Sequence, residues 1–201
     1  MIKNADGVFS VFRKHYVLVP LEVFGNDPYK TLVSTLLSSR TKDETTLEAS
    51  KRLFKKAPDI KSLNKLESSE ISKLIHPVGF YKTKSKQLKT LSKTIIEEFD
   101  SKVPNTREDL MKLPGVGRKT ANLVLNRAFG KPAIAVDTHV HRISNMLGWV
   151  GTKTPEQTER ELNEKLPKKY WTDINRLFVS IGRQYTTKPK LEKFLKENNL
   201  I

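Results

Sequence analysis

The chain has 201 residues, no cysteine and a formal net charge of +15, from 37 Lys and Arg against 22 Asp and Glu. Without cysteine it can form no disulfide, no thiolate zinc site and no cysteine-ligated iron–sulfur cluster. No apolar run is long enough to span a membrane and the N-terminus lacks a signal-peptide pattern, so we expect an intracellular protein with no membrane association. The charge favours nucleic acid as partner, although solvated lysine-rich helix faces would give the same excess.

Helical signals follow one another along nearly the whole chain. Asp27-Pro28 is typical of a helix N-cap followed by proline at the first helical position. The segments 106–109 and 154–157 resemble capping boxes, the second with proline directly after the cap. Two apolar stripes at helical spacing predict buried helix faces. They are Leu88, Leu91, Ile95 and Phe99, and then Ile174, Leu177, Phe178 and Ile181.

Strand signals are nearly absent. The short apolar run at 132–136 is interpreted as a buried connection rather than as part of a sheet. Glycine and proline punctuate the helical segments at short intervals, which predicts short loops. The sequence therefore predicts an all-α fold with about nine or ten helices.

A glycine-rich turn between two predicted helices is the most informative segment. Residues 113–119 read Leu-Pro-Gly-Val-Gly-Arg-Lys. Two glycines two positions apart allow a tight turn and remove side chains that would keep a phosphate from the backbone. Amides that converge at the following helix N-terminus attract an anion. The pattern predicts a helix-hairpin-helix DNA-binding motif; a helical hairpin without ligand is the alternative.

We expect this hairpin to contact the phosphate backbone, which positions a protein without reading base sequence. The residues expected to make these contacts are Gly115, Val116, Gly117, Arg118 and Thr120.

The residues after the hairpin resemble a known family. Asp137 lies in a Val-Asp-Thr-His sequence 18 positions after Lys119. The hairpin and this sequence together resemble the endonuclease III family of base-excision DNA glycosylases. The segments 36–43 and 79–84 also match that family's pattern, and the resemblance extends from about residue 25 to 185.

The resemblance implies a bifunctional DNA glycosylase and AP lyase that removes oxidised bases, pyrimidines foremost. The family's nucleophilic lysine corresponds to Lys119, whose unprotonated amine would form a Schiff base with the sugar before β-elimination. The family's catalytic aspartate corresponds to Asp137. The alternatives are that Lys119 contacts a phosphate and that Asp137 is the N-cap of the next helix, and the two interpretations of Asp137 are compatible.

The family's gap-filling residues, which replace an extruded base, correspond to Arg40 and Phe80. Phe80 could equally be a core residue, and Arg40 departs from the glutamine usual in endonuclease III. Lys82, Lys84 and His139 are expected to contact DNA as well. A metal site made of Asp137, His139 and His141 is disfavoured, because residues two apart on a helix diverge. We therefore expect neither a metal nor another cofactor.

Many relatives end in four cysteines that hold a [4Fe–4S] cluster. Here the region that begins at about Gly182 contains none. The segment 190–196 instead predicts a short amphipathic helix. Its apolar residues Leu191, Phe194 and Leu195 would dock on the body, with the lysines 188, 190, 193 and 196 facing solvent or DNA.

The resemblance also implies two lobes with a cleft between them. A helical bundle would comprise residues 24–131, and residues 1–23 would join 132–201 in a second lobe. The expected partner is double-stranded DNA with damaged bases or abasic sites, bound by a monomer located with the DNA. Two rival hypotheses are a monofunctional mismatch or alkyl-base glycosylase and a non-catalytic hairpin protein that binds DNA.

Overall fold

The computed structural model describes residues 2–201, which form helices joined by short loops, with no strand in that range. In chain order the α-helices are α1 (Ala5–Lys14), α2 (Pro28–Ser38), α3 (Asp43–Lys56), α4 (Ile60–Lys65), α5 (Ser68–Ile75), α6 (Tyr81–Glu98), α7 (Arg107–Lys112), α8 (Arg118–Phe129), α9 (Thr138–Met146), α10 (Pro155–Lys165), α11 (Ile174–Gln184) and α12 (Lys188–Glu197). Two 3-10 helices, Pro20–Phe24 and Lys168–Tyr170, complete the set. The prediction of an all-α fold is confirmed.

The described range holds twelve α-helices, more than the nine or ten predicted. The helices without a signal in the sequence include α4 and α5, which have six and eight residues. So short a segment makes about two turns and cannot display a helical period in its apolar residues. Within residues 2–201, no helix combines the length and the apolarity that crossing a bilayer requires.

The described residues divide into two compact units. The first consists of the N-terminal residues up to Val19 with Pro132–Ile201, and the second of Pro20–Lys131. The sequence-based boundary lay between residues 23 and 24. The structure places it between 19 and 20, because the 3-10 helix Pro20–Phe24 packs on α2 and α3 of the second unit. Phe24 meets the ring of Phe54 edge-on at 5.1 Å.

Helix α2 is the most enclosed helix of the second unit. Asp27 caps it as predicted, accepting a hydrogen bond from the Lys30 backbone N–H at 3.0 Å. All its side chains from Thr31 to Leu37 are buried, since α3, α6 and α8 each pack against it. Helix α6 buries the predicted residues Leu88, Leu91 and Ile95, whereas Phe99 at its C-terminal end is only half-buried.

An aromatic cluster forms the core of the first unit. On α1, Phe9 stacks on Tyr170 with ring centroids 4.1 Å apart, and Phe12 meets Phe178 edge-on at 5.0 Å. The predicted stripe on α11 is buried in the same core. These contacts join the N-terminal helix to residues about 160 positions later, so the chain ends share one core.

Helix α10 has the predicted capping box, in which Thr154 accepts from the Gln157 N–H at 3.3 Å and the Gln157 side chain accepts from the Thr154 N–H at 3.3 Å. At the start of α7, Thr106 accepts from the Asp109 N–H at 3.2 Å. The Asp109 carboxylate, however, takes the Thr106 hydroxyl at 2.8 Å rather than the backbone N–H. Because the side chain of Asp109 is one carbon shorter than that of Glu, it does not bind the Thr106 backbone N–H, and Thr106 caps the helix without a full capping box.

Helix α12 docks on the first unit as the sequence predicted. Leu191, Phe194 and Leu195 are buried, while the four lysines of the helix are exposed. Phe194 stacks on Tyr185 at 4.3 Å. The turn before α12 is held by Arg142, which donates to the carbonyls of Tyr185 and Thr186 at 3.2 and 2.7 Å. Threonine, lysine and proline occupy this region, so its residues do not fit an iron–sulfur cluster.

We predict that Phe194→Ala lowers the free energy of unfolding by about 3 kcal/mol, because it removes a buried aromatic ring and its stacking contact with Tyr185. Urea denaturation followed by circular dichroism measures the change. The exposed Lys193→Ala on the same helix serves as control and should change stability by less than about 0.5 kcal/mol. Equal effects of the two substitutions would contradict the docking of α12.

Candidate active site and nucleic-acid interface

Helices α7 and α8 form the predicted helix-hairpin-helix around a tight turn at residues 113–117. Leu113 and Val116 bury their side chains, and the Val116 N–H donates to the Leu113 carbonyl at 3.1 Å to close the turn. The Arg107 guanidinium Nε donates to the buried Asn122 side chain at 2.8 Å, which ties α7 to α8. The hairpin is therefore fixed by packing and by a side-chain hydrogen bond across it.

The two hairpin glycines are present for different reasons. Gly115 has a φ of +78°, a left-handed conformation that favours glycine. Gly117 has a φ of −91°, which any residue adopts, and a Cβ added there would meet nothing within 4 Å. Neither the backbone conformation nor the packing requires glycine at position 117, and the surface beside it is open.

Gly117 is also the N-cap of α8, where it has no side chain to accept from the first backbone N–H groups of the helix. Those N–H groups lie at the positive end of the helix dipole. Arg118 is exposed and Thr120 is half-exposed in the same turn. The arrangement suits an anion such as a phosphate.

Val116 differs from its sequence-based role as a DNA-contacting residue. Its side chain is 6% exposed and its N–H already serves the turn. A branched apolar residue is needed here to anchor the turn in the core of the second unit. Val116 therefore positions the hairpin, and its neighbours offer the polar groups.

Lys119 is the second residue of α8 and its side chain is exposed. A primary amine therefore lies in the same first turn of α8 as the backbone N–H groups that follow Gly117.

Asp137 is the N-cap of α9, in the first unit. Its Oδ1 accepts from the backbone N–H groups of His139 and Val140 at 3.0 and 2.9 Å. The cap uses one carboxylate oxygen, and Oδ2 takes no part in it. The residue is half-buried, and the preceding connection is held by the buried Asn175 amide, which donates to the Ala135 carbonyl at 3.0 Å. The structure confirms the interpretation of Asp137 as the N-cap of α9.

The two histidines after Asp137 point to different partners. The His139 ring lies against Gly182 of α11, where any Cβ would overlap it. His141 instead shares a hydrogen bond of 2.7 Å with the Thr158 hydroxyl. The half-buried His139 therefore helps α9 approach α11, which leaves only its exposed part for the contact with DNA that the sequence predicted.

Arg40 and Phe80 lie together on the surface of the second unit. Each has a left-handed backbone, with φ of 53° and 57°. The Arg40 guanidinium carbon is 5.4 Å from the centre of the Phe80 ring, within the range of a cation–π contact. Phe80 is 60% exposed, so the alternative that it belongs to the core is wrong. An exposed aromatic ring on a strained turn is suited to contacting a partner.

Lys84 was predicted to contact DNA, and this prediction is wrong for its ammonium group. The residue is 6% exposed, and its Nζ donates to the carbonyls of Leu37 and Ser39 at 2.8 and 2.5 Å. These carbonyls lie at the C-terminal end of α2, where helical acceptors lack partners. Lys82, two positions earlier, is exposed as expected.

Sequence reasoning missed Thr41 and the packing role of Gly79. The Gly79 N–H donates to the Thr41 hydroxyl at 3.0 Å, and a Cβ at Gly79 would lie 2.5 Å from the Arg40 carbonyl oxygen. From the sequence, neither residue is assigned a role of its own. The signal that could have revealed more was the presence of both residues in segments that resemble one family.

Comparisons with known proteins identify the family of this chain. Residues 33–168 match the family model of the HhH-GPD superfamily base excision DNA repair protein. The chain is 49% identical over 158 residues to endonuclease III of Thermotoga maritima, covering 79% of this chain and 74% of that relative. It is 36% identical over 182 residues to endonuclease III of Synechocystis, covering 90% and 83%. Identity to the endonuclease III-like protein 1 of Bos taurus is 43% over 159 residues, and the match spans 52% of that longer relative.

Two solved structures are similar over most of the chain. A non-covalent endonuclease III–DNA complex has a TM-score of 0.84 at 31% identity, covering 94% of this chain and 88% of that one. A trapped covalent intermediate of endonuclease III with DNA has a TM-score of 0.81 at 30% identity, covering 93% and 88%.

We predict that Gly117→Ala weakens binding to duplex DNA by about tenfold, the equivalent of one lost hydrogen bond to a charged group. Its free energy of unfolding should change by less than about 1 kcal/mol, because the backbone is ordinary and the space is open. Fluorescence anisotropy with a labelled duplex and urea denaturation measure the two quantities. Gly151→Ala, at another open and exposed glycine, should change neither.

Gly115→Ala is the informative contrast. A residue with a Cβ is strained by about 1–2 kcal/mol at this φ, and the Cβ would lie 3.0 Å from the Gln87 side chain. We therefore expect lower stability together with weaker binding. If Gly117→Ala bound DNA normally while remaining folded, the hairpin would not be the phosphate contact.

Proposed function

We propose that this chain, which belongs to the endonuclease III family within the HhH-GPD superfamily of base excision DNA repair proteins, removes oxidised pyrimidines through a Schiff base on Lys119. As a member of that family it is a DNA glycosylase with AP lyase activity. One observation supports Lys119 as the nucleophile: its exposed amine lies in the first turn of α8, directly after the hairpin turn, where Gly117 gives the helix no side-chain cap. The proposed substrate is damaged double-stranded DNA, bound by a monomer.

The hairpin binds the phosphate backbone beside the lesion in this proposal. Gly117 has no side chain to accept from the N–H groups at the start of α8, and the space beside it is open, so a phosphate oxygen can approach and accept from them. The chain's excess of positive charge attracts the duplex without selecting a base sequence. The backbone, once held, places the sugar of the damaged nucleotide near Lys119.

Lys119 then acts as the nucleophile. Its neutral amine forms a bond to C1′ of the deoxyribose while the glycosidic bond breaks, and the base leaves with the bonding electron pair and takes up a proton. Loss of a proton from the nitrogen and opening of the sugar give the Schiff base. Removal of a C2′ proton then expels the 3′ phosphate by β-elimination, which breaks the strand on the 3′ side of the abasic site.

Asp137 supplies negative charge to the same reaction. Its Oδ1 is engaged in the cap of α9, which fixes the carboxylate and leaves Oδ2 outside the cap. A fixed carboxylate stabilises positive charge that develops on the sugar and can receive the proton of the attacking amine. The cap thus serves the chemistry by orienting the group.

Arg40 and Phe80 fill the gap that the extruded base leaves. Their exposed side chains lie in contact on adjacent turns, and an aromatic ring can wedge between bases while a guanidinium donates to the unpaired partner base. Lys82 and the exposed part of His139 add contacts to the DNA backbone.

We predict that Lys119→Gln abolishes strand cleavage and borohydride trapping on a duplex with one abasic site, because glutamine cannot form an imine. DNA affinity should remain close to that of the unmodified protein. Lys102→Gln, which removes an exposed lysine outside the hairpin, should leave trapping intact. A trapped adduct with Lys119→Gln would show that another amine is the nucleophile.

We predict that Asp137→Asn slows turnover by about 100-fold with little change in DNA binding, because it removes the carboxylate charge. Asparagine is also a good N-cap, so stability should stay within about 0.5 kcal/mol, whereas Asp137→Ala should lose about 1 kcal/mol. Single-turnover kinetics and thermal denaturation separate the two effects. An unchanged rate in Asp137→Asn would reduce Asp137 to a cap.

A further inference from the structure

A buried lysine joins the two turns that carry Arg40 and Phe80. Lys84 lies one turn into α6, and its backbone N–H donates to the Phe80 carbonyl at 2.9 Å. Its side chain passes back through the interior of the second unit to the end of α2. There Nζ donates to the carbonyls of Leu37 and Ser39 at 2.8 and 2.5 Å. One residue thus holds the segments before Arg40 and at Phe80.

The two turns are also in direct contact. The Thr41 hydroxyl accepts from the Gly79 N–H at 3.0 Å and lies 3.5 Å from the Lys84 Nζ. Gly79 has no Cβ, and the Arg40 carbonyl oxygen occupies the space where a Cβ would stand. Lys84, Thr41 and Gly79 therefore form a polar link between the turns, which we call the turn bridge.

A buried ammonium is costly unless its donors are satisfied, so its presence needs an explanation. The hydrogen bonds of Lys84 include no acidic partner. Its Nζ lies beside three oxygen atoms, the Leu37 carbonyl in the last turn of α2 and the Ser39 carbonyl and Thr41 hydroxyl in the loop that follows. Burial lowers the pKa of the Lys84 ammonium to about 8, which still leaves it mostly protonated at pH 7. Leucine or methionine would fill the same space at lower cost but could not bind the carbonyls.

We propose that Lys84 is a positioning residue that sets the geometry of Arg40 and Phe80 for insertion into the DNA duplex. The proposal rests on the gap-filling role proposed for those two residues. Both have left-handed backbones, which persist only where the surroundings hold them. The turn bridge supplies that restraint to both turns at once, from the protein interior, without touching the DNA.

The proposal separates duplex from single-stranded substrate. An abasic site in a duplex must be exposed by extruding the nucleotide and filling the gap, whereas one in a single strand is already accessible. Loss of the turn bridge should therefore impair cleavage of the duplex and spare cleavage of the single strand. A general loss of folding would impair both.

The experiment compares Lys84→Met with Lys86→Met, which removes an exposed lysine from the same helix. Strand cleavage is measured as kcat/KM on an abasic duplex and on the single strand of the same sequence. We expect Lys84→Met to lower the duplex value by about 10- to 100-fold, as small misplacements of positioning groups do. The single-strand value and both values for Lys86→Met should change little.

A second measurement reports insertion directly. A 2-aminopurine opposite the abasic site gains fluorescence when it is unstacked, and the Lys119→Gln background prevents cleavage. At saturating protein, the double variant Lys84→Met/Lys119→Gln should raise the fluorescence less than Lys119→Gln alone. If Lys84 served only stability, the two proteins would give the same fluorescence at saturation. Equal losses of cleavage on both substrates, or full duplex activity, would overturn the proposal.

Two controls keep the outcomes distinct. Thr41→Val cuts the link to Gly79 without removing a buried charge, so it tests the turn bridge even if Lys84→Met does not fold. It should also lower duplex cleavage selectively, and a folded Thr41→Val with normal duplex kinetics would count against the bridge. Borohydride trapping of the unmodified protein on the single strand tests the Lys119 chemistry by itself, so failure there would concern the proposed function and not Lys84.

Discussion

Every α-helix ends with backbone groups that lack partners inside the helix, and the way this chain treats those groups determines its site. At the end of α2 a buried lysine satisfies the carbonyls, and at the end of α11 Arg142 does so. At the start of α9 a carboxylate satisfies the N–H groups. At the start of α8 the cap is a glycine, which supplies no acceptor. In the proposed function, this end of α8 receives a phosphate of the DNA.

The same end-of-helix chemistry explains why charged residues here have unlike roles. Lys119 and Lys84 are both lysines at the first turn of a helix, one on α8 and one on α6. Lys119 is exposed and available to a substrate, whereas Lys84 is enclosed by carbonyl oxygens and serves the protein's own backbone. Composition counts both as positive charges toward +15, although only the exposed ones contribute to attracting a polyanion at close range.

Much of the fold could be predicted from local patterns, because strong caps and long apolar stripes are encoded within one turn or a few turns. Thr154 and Asp137 are caps where the sequence placed them, and Phe178 and Ile181 are buried as their spacing predicted. The environment of Lys84 could not be predicted, since its acceptors come from residues more than 40 positions earlier. Phe80 was undecided for the same reason: only the tertiary structure shows whether a ring beside a glycine turn is buried or exposed. The role of Asp137 in chemistry came from the family resemblance, because an N-cap alone predicts only a helix end.

The docking of α12 joins the C-terminal segment to the core of the first unit. Stacked aromatic rings, including Phe194 on Tyr185, and the hydrogen bonds from Arg142 to backbone carbonyls hold this segment in place. The shape of this segment is therefore reached when the core of the first unit folds, through side-chain packing and hydrogen bonds.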